Sequence, residues 1–273
     1  MAQKRVLPGF GYTLGVTLLF LSFATFLPLG ALVFKAAGLS WAEFWAYVSD
    51  PRAISTYRVT LTSALIATFF NVVLGLLVAW ILVRYEFPGR RFLDAAVDLP
   101  FALPTAVAGL TLATLLVPTG LVGQLFAPLG WKISYALPGM VIAMTFTSFP
   151  FVVRTVQPVL ADLDPHLEEA ALNLGAGPFK TFWKVIFPEL LPATLAGTTL
   201  ALVRSLGEFG AVVFIAGNLP FRTEISSLLI YIRVGENDYA GAAALATIIL
   251  ASALFVLVVM NIIQGVLYRR LHG

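Results

Sequence analysis

Long uncharged apolar stretches recur along the chain, and short polar segments separate them. A membrane-spanning helix needs about 20 predominantly apolar residues, and the pattern predicts six such spans. The predicted spans are Tyr12–Phe34, Val59–Val83, Leu99 to about Val117, Ile133–Val153, Ala193–Ala216 and Tyr239–Tyr268. We therefore expect an all-α integral membrane protein with six transmembrane helices, the first of them an uncleaved anchor.

Two of the predicted spans contain residues that are unusual inside a membrane. Pro100 and Pro104 are expected to break or kink the start of the third span. Unwound backbone at membrane depth is tolerated where it lines a cavity, so this segment is a candidate gate, with a plain helix kink as the alternative. In the fifth span, Arg204 and Glu208 lie four residues apart, on one helix face. Such a pair either borders the path of an anion or is a buried ion pair that fixes packing against another subunit.

The distribution of lysine and arginine predicts the orientation. With the amino terminus in the cytoplasm, ten of these residues fall in inner segments and six in outer segments. Basic residues are enriched on the cytoplasmic side of membrane proteins, so both termini are predicted to be cytoplasmic.

Two outer segments contain patterns typical of short helices. Ser40 and Glu43 match a capping box before a run of aromatic residues, which predicts a helix at the membrane–water interface. Apolar residues at helical spacing in a later segment predict an amphipathic helix; they are Ile225, Leu228, Leu229 and Ile232. That helix either faces an external partner, or rests on the bilayer or plugs the bundle.

Composition narrows the function further. Apolar residues make up 59% of the chain and charged residues 11%, against roughly 25% charged residues in a soluble domain. The basic residues cluster at the ends of apolar runs, so the net charge of +3 does not indicate a nucleic-acid partner. The chain has no cysteine, and its two histidines, His166 and His272, are far apart. We therefore expect neither a metal site nor a cysteine nucleophile.

The longest polar segment lies between the fourth and fifth spans. Asp164 and Pro165 form a helix N-cap and first position, and a glycine at 175 or 177 suits the helix end. Pro178 is expected to open a second short helix that Pro188 stops. One face of the first helix is predicted to carry Leu167, Ala170, Ala171 and Leu174, with Glu168 and Glu169 beside it for a basic partner. Physical chemistry alone leaves open that this segment only caps its own bundle.

The spacing in this segment resembles the EAA loop of the permease subunits of bacterial ABC importers. Glu169-Ala170-Ala171 is followed after three residues by Gly175, and after nine more by Val185-Ile186-Phe187-Pro188. Val185 and Phe187 depart mildly from the isoleucine and leucine of that pattern. The resemblance implies a coupling helix that docks on an ATP-hydrolysing subunit. It implies this role for Glu168, Glu169, Ala170, Ala171, Gly175 and Pro188, with the acidic side chain of Glu169 facing the ATPase.

Further stretches resemble the sulfate/thiosulfate importer permeases of the CysT type. They are RVLPGF (5–10), DLPFALPTAVAGLTLA (98–113), FTSFPFVVRTVQPVL (146–160) and RSLGEFGAVVFIAGN (204–218). Molybdate and tungstate permeases share a looser version and are the alternative within this class. The resemblance implies a type I ABC importer permease fold. It divides the chain into an amino-terminal transmembrane helix with a periplasmic interfacial helix (1–56) and an ABC transmembrane domain (57–268) that carries the EAA loop at about 158–192.

The same resemblance implies partners and a location. The partners are a second permease of the CysW type, two ATP-binding subunits that bind ATP and Mg, and a periplasmic sulfate-binding protein, in the bacterial inner membrane. This chain itself contains no Gly-Lys dipeptide and hence no GxxxxGK[ST] phosphate loop, so we expect no enzyme and no bound cofactor. The alternative from another class is a self-sufficient secondary anion transporter. It is disfavoured because no internal repeat is visible and only one charged pair lies within a span.

Overall fold

The computed structural model describes residues 9–272, with side chains up to residue 267, so Arg5–Pro8 of the RVLPGF stretch lie outside the described residues. Within that part of the chain the secondary structure is helical, without strands. The helices are α1 (Phe10–Ala37), α2 (Trp41–Val48), α3 (Pro51–Arg84), α4 (Arg90–Val97), α5 (Leu99–Ala102), α6 (Thr105–Leu116), α7 (Gly123–Phe126), α8 (Leu137–Ala161), α9 (Pro165–Asn173), α10 (Pro178–Leu206), α11 (Val212–Ile215), α12 (Ser226–Gly235) and α13 (Tyr239–His272). Five of them, α1, α3, α8, α10 and α13, are long and apolar enough to cross a membrane.

Helices α3, α8 and α10 form the centre of the bundle. The Asn71 side-chain amide donates to Ser148 Oγ at 2.6 Å, and Gly75, one turn further along α3, lies against Val152, one turn further along α8. These two helices therefore run parallel. Ser148 also meets Ser205 at 3.0 Å, while Gly197 lies against Val152, so α10 runs antiparallel to both.

Small residues set the distance between these helices. A Cβ atom added to Gly75 would lie 2.8 Å from Val152 Cβ, and one added to Gly197 would lie 2.8 Å from Val152 Cα. Real Cβ atoms do not approach other heavy atoms so closely, so both positions need glycine. Close approach at small residues is the usual way in which membrane helices associate, because lipid provides little hydrophobic drive between helices.

The third predicted span is not one helix. The short helix α5 ends at Ala102, Leu103 and Pro104 have extended backbone angles, and α6 begins at Thr105. With 12 residues, α6 is too short to cross a bilayer alone. The predicted break at the prolines is confirmed. It arises because Pro104 cannot donate a backbone hydrogen bond and disfavours helical geometry at Leu103.

The fifth predicted span has different ends from those expected. The prediction that Pro188 stops a short helix is wrong, since α10 continues from Pro178 to Leu206. A π-helical turn over Phe182–Ile186 directly precedes Pro188, and this wider turn accommodates the proline ring. The predicted extension to Ala216 is also wrong, because α10 ends at Leu206 and only the short helix α11 follows.

Both predicted outer helices are present. Ser40 and Glu43 form the reciprocal capping box at the start of α2. In α12, Leu228 and Leu229 are buried, and Ser226 hydrogen bonds to Thr60 of α3. Of the interpretations left open by the sequence, the structure therefore supports α12 as a helix packed into the bundle.

Candidate functional site

The polar segment at residues 158–192, which we call the EAA segment, folds as helix, glycine turn and helix. Asp164 Oδ1 accepts a hydrogen bond from the His166 backbone N–H at 3.0 Å, and Pro165 occupies the first position of α9. At the other end, Gly175 has a φ of +77°. The Ala176 N–H reaches back to the Ala171 carbonyl, which completes a Schellman-type cap. The predicted helix start and glycine end are confirmed.

The two glutamates of the EAA segment differ in their surroundings. Glu168 is half-buried and forms an ion pair with Arg84 at the end of α3. Glu169 is exposed, and its carboxylate lies 3.2 Å from His166 Nδ1. Glu169 is therefore the more accessible of the two acidic side chains.

The predicted apolar face of α9 divides between the bundle and the exposed side, and its last member lies just beyond the helix end. Ala171 is buried against the bundle, whereas Ala170 is exposed and Leu174 is 88% exposed. Leu174 departs from the helical spacing because α9 ends at Asn173, one residue earlier. Phe179, at the start of α10, is also 79% exposed. Leu174 and Phe179 are thus the most exposed large apolar side chains of the EAA segment, while Ala171 attaches the segment to its own chain.

A cluster at the end of α3 anchors the EAA segment. The Arg84 guanidinium lies over the Trp80 ring, 5.3 Å from its centroid, and Phe182 meets the same ring edge-on at 5.4 Å. Sequence reasoning counted Arg84 only as an orientation charge. Its role as a tether depends on Glu168, 84 residues away, which no local pattern reveals.

The broken third span packs closely on the turn that follows α10. A Cβ atom at Gly109 would lie 2.6 Å from Ala211 Cα, and one at Gly210 would collide with Thr105 Oγ1. The break at Pro104 therefore lies beside residues 208–211, so the structure brings together two sites that the sequence predicted separately. Pro100 is buried, and its neighbour Phe101 packs edge-on against Phe151 at 5.2 Å.

Arg204 and Glu208 form an ion pair, but not in the middle of a helix as predicted. Arg204 lies in the last turn of α10, and Glu208 lies in the turn after it. Glu208 is 1% exposed; its Oε2 lies 2.5 Å from Arg204 Nη1, and its Oε1 accepts from the Ala211 N–H at 2.9 Å. Arg204 keeps 34% of its side chain exposed. Glu208 therefore holds the turn together, while about a third of the Arg204 side chain remains exposed.

A second arginine cluster was missed by sequence reasoning. Arg154 of α8 donates to both carboxylate oxygens of Asp98, at 2.8 and 2.6 Å, and to the Asp94 carboxylate at 2.6 Å. It also donates to the Asp94 backbone carbonyl and to the Gln157 side chain. Hydrogen bonds from Arg154 lower the pKa of Asp94 below its ordinary value.

A further ion pair joins the start of α3 to the segment that precedes α12. Arg52 at the start of α3 donates Nε and Nη2 to the two oxygens of Glu224, at 2.8 and 2.6 Å. Glu224 is 1% exposed. Sequence reasoning missed this pair because 172 residues separate its members. Among the residues that the structure describes, no cluster of three or more His, Cys, Asp or Glu side chains is arranged to hold a metal ion.

The structure is thus a bundle of apolar helices. It carries the exposed EAA segment and a broken helix that packs beside the Arg204–Glu208 turn. The family model "Binding-protein-dependent transport system inner membrane component" matches residues 71–273. The chain belongs to this family and is thus an inner-membrane component of a transport system.

Relatives and solved structures agree with this class. The chain is 53% identical over 273 residues to "Sulfate transport system permease protein CysT" of Escherichia coli (strain K12), covering all of this chain and 99% of the relative. It is 51% identical over 250 residues to "Probable sulfate transport system permease protein cysT" of Nephroselmis olivacea, covering 92% and 88%.

The fold resembles solved ABC transporters at low sequence identity. A chain of a bacterial ABC transporter involved in the import of the acidic polysaccharide alginate matches with a TM-score of 0.74 and 19% identity, over 97% of this chain and 96% of that one. A chain of the MetNI methionine ABC transporter matches with a TM-score of 0.60 and 18% identity, over 84% and 99%. The fold is the type I ABC importer permease fold that the resemblance implied.

Proposed function

We propose that this chain is the membrane-spanning permease subunit of an ATP-driven importer and forms part of the translocation path for sulfate or thiosulfate. The observation that carries this proposal is the identity of 53%, over the whole chain, with a sulfate transport system permease protein. Identity of this level along the full length covers the helices, the EAA segment and the charged turn together.

The EAA segment is the proposed contact with an ATP-hydrolysing subunit. Leu174 and Phe179 are 88% and 79% exposed, and they flank the turn at Gly175. Glu169 adds an exposed carboxylate on the same segment. Large exposed apolar side chains next to a charge are typical of a protein interaction site. Ala170 adds a small exposed residue to this surface, and Glu168, Ala171 and Pro188 support it from within the chain.

The charged turn after α10 is the proposed contribution to the anion path. Glu208 pairs with Arg204 through one oxygen, and about a third of the Arg204 side chain stays exposed. The break at Pro104 lies against the same turn, and irregular backbone at membrane depth suits a cavity lining. A partly exposed arginine beside this irregular backbone would attract a dianion without holding it tightly.

The proposed assembly contains a second permease of the CysW type, two ATP-binding subunits and a periplasmic sulfate-binding protein. ATP and Mg would be bound by the ATP-binding subunits, so this chain would not itself hydrolyse ATP. Both termini would be cytoplasmic, and residues 57–268 would form the transmembrane domain shared with other ABC permeases.

Reconstituted transport tests this proposal. The chain is co-expressed with the adjacent permease and ATPase subunits, purified in detergent, and placed in vesicles with labelled sulfate and a sulfate-binding protein. We expect uptake that requires ATP, the ATPase and the binding protein. Uptake by this chain alone would identify a secondary transporter. Uptake that unlabelled molybdate abolishes, and thiosulfate does not, would identify a molybdate permease.

A further inference from the structure

Arg154 uses its whole guanidinium to join two parts of the bundle. Its three nitrogens donate five hydrogen bonds, and four of these end on Asp94 and Asp98. The two aspartates lie in and directly after α4, which continues into α5. The clamp therefore fastens the α4–α5 segment to helix α8.

The clamp lies between the EAA segment and the broken span. On α8, the helix end at Ala161 lies seven positions after Arg154, a distance of about 10 Å along the axis. The EAA helix α9 begins at Pro165, four residues later. On the other side, five residues lead from Asp98 to the extended backbone at Leu103.

A second contact makes this attachment rigid. Phe101 of α5 packs edge-on against Phe151, which lies one helical turn before Arg154 on α8. Two contacts one turn apart resist rotation as well as sliding. Beyond the break, Gly109 fits against Ala211, which in turn donates its N–H to Glu208. A continuous series of packed contacts therefore runs from the EAA segment to the Arg204–Glu208 turn.

We propose that Arg154 is a positioning residue that transmits movement of the EAA segment to the broken third span. This inference rests on the proposed function, since it needs a moving ATPase to act on the segment. The bidentate geometry with Asp98 fixes orientation as well as distance, which a lysine in this position would not do. Asp94 and Asp98 are 43% and 50% exposed, so the clamp adds little to the stability of the fold.

The test measures sulfate taken up per ATP hydrolysed by the complete complex in vesicles. We expect Arg154→Gln to lower this ratio about tenfold while the complex still assembles and hydrolyses ATP. Asp98→Asn should produce a similar loss, and the double variant should lose no more than either single variant. Arg154→Lys should give an intermediate ratio. Arg91→Gln is the matched control, because Arg91 is exposed and has no partner among the described residues, and its ratio should stay at the wild-type value.

The outcomes separate this inference from the proposed function. If the wild-type complex takes up no sulfate, the proposed function fails and the inference fails with it. If the wild-type complex works and Arg154→Gln retains its ratio, only the inference is overturned. Losses that multiply in the double variant would also overturn it, because the two residues would then act separately. If Arg154→Gln does not assemble, Asp98→Asn decides by the same ratio.

Discussion

Replacing Arg204 and Glu208 one at a time distinguishes an anion path from a packing contact. Arg204→Gln removes the positive charge and leaves Glu208, which is 1% exposed, without its partner. Glu208→Gln keeps the Arg204 charge and still offers an oxygen to the Ala211 N–H. The two variants break the same ion pair but leave opposite charges behind.

The structure allows the magnitudes to be worked out. Removing one member of a buried ion pair costs about 3–5 kcal/mol. Arg204 is 34% exposed, so solvent screening reduces the expected loss of stability to about 1–3 kcal/mol for either variant. A unit charge about 8 Å from a dianion, at an effective dielectric of about 40, contributes about 2 kcal/mol. This corresponds to about thirtyfold in uptake rate.

We therefore expect Arg204→Gln to reduce sulfate uptake about thirtyfold, whereas Glu208→Gln retains uptake because its positive charge remains. Both complexes should assemble and show similarly lowered thermal midpoints in detergent. Uptake is measured in vesicles at equal amounts of assembled complex. Normal uptake by Arg204→Gln would refute the anion-path reasoning. Equal losses in the two variants would show that the pair only holds the packing.

Four further substitutions have defined outcomes. Gly109→Ala should lower the thermal midpoint and the yield of complex, with an overpacking cost of about 1–3 kcal/mol, whereas Gly15→Ala in open surroundings should leave both unchanged. Glu169→Gln should reduce ATPase co-purification without loss of stability. Glu168→Gln should instead lower the thermal midpoint, since it loses its pairing within the chain. Because the pKa of Asp94 is lowered in the folded state, its stabilisation is present above the ordinary value of 3.8 and is lost as pH falls through the folded pKa. The midpoint difference between wild type and Asp94→Asn should be small, because Asp94 is 43% exposed; it should be constant from about pH 5 to 8 and shrink below about pH 4.

Local features of the fold could be predicted from the sequence because their causes are local. The break at Pro104 follows from the missing N–H and ring of that residue. The start of α9 follows from Asp164 and Pro165, and its end follows from the left-handed conformation of Gly175. The capping box at Ser40 likewise involves only four neighbouring residues.

The tertiary partners of the charged residues could not be predicted in this way. Arg154 could pair with different acidic residues if the helices were arranged differently. The structure pairs it with residues 56 and 60 positions earlier. The prediction that Pro188 stops a helix was wrong because the π-helical turn before it accommodates the proline ring. The rule that proline breaks a helix assumes an ideal α-helix without such a turn. Single residues thus predict breaks and caps, whereas partner choice depends on how the helices are arranged.

The ion pairs share one placement, which explains how an apolar bundle stays ordered and can still move. Arg52, Arg84 and Arg204 lie in the first or last turn of a helix, as does Arg233, which pairs with Asp238 at 2.9 Å. Arg154 lies two turns from a helix end. A charge costs less at a helix end than at mid-helix, because loop segments and water can reach it there. Between these ends, the helices pack against one another through glycine and other small residues. Helices that slide there would break no ion pair. Movement of the EAA segment would therefore change the ion pairs at the helix ends first, and the helices would follow as rigid bodies.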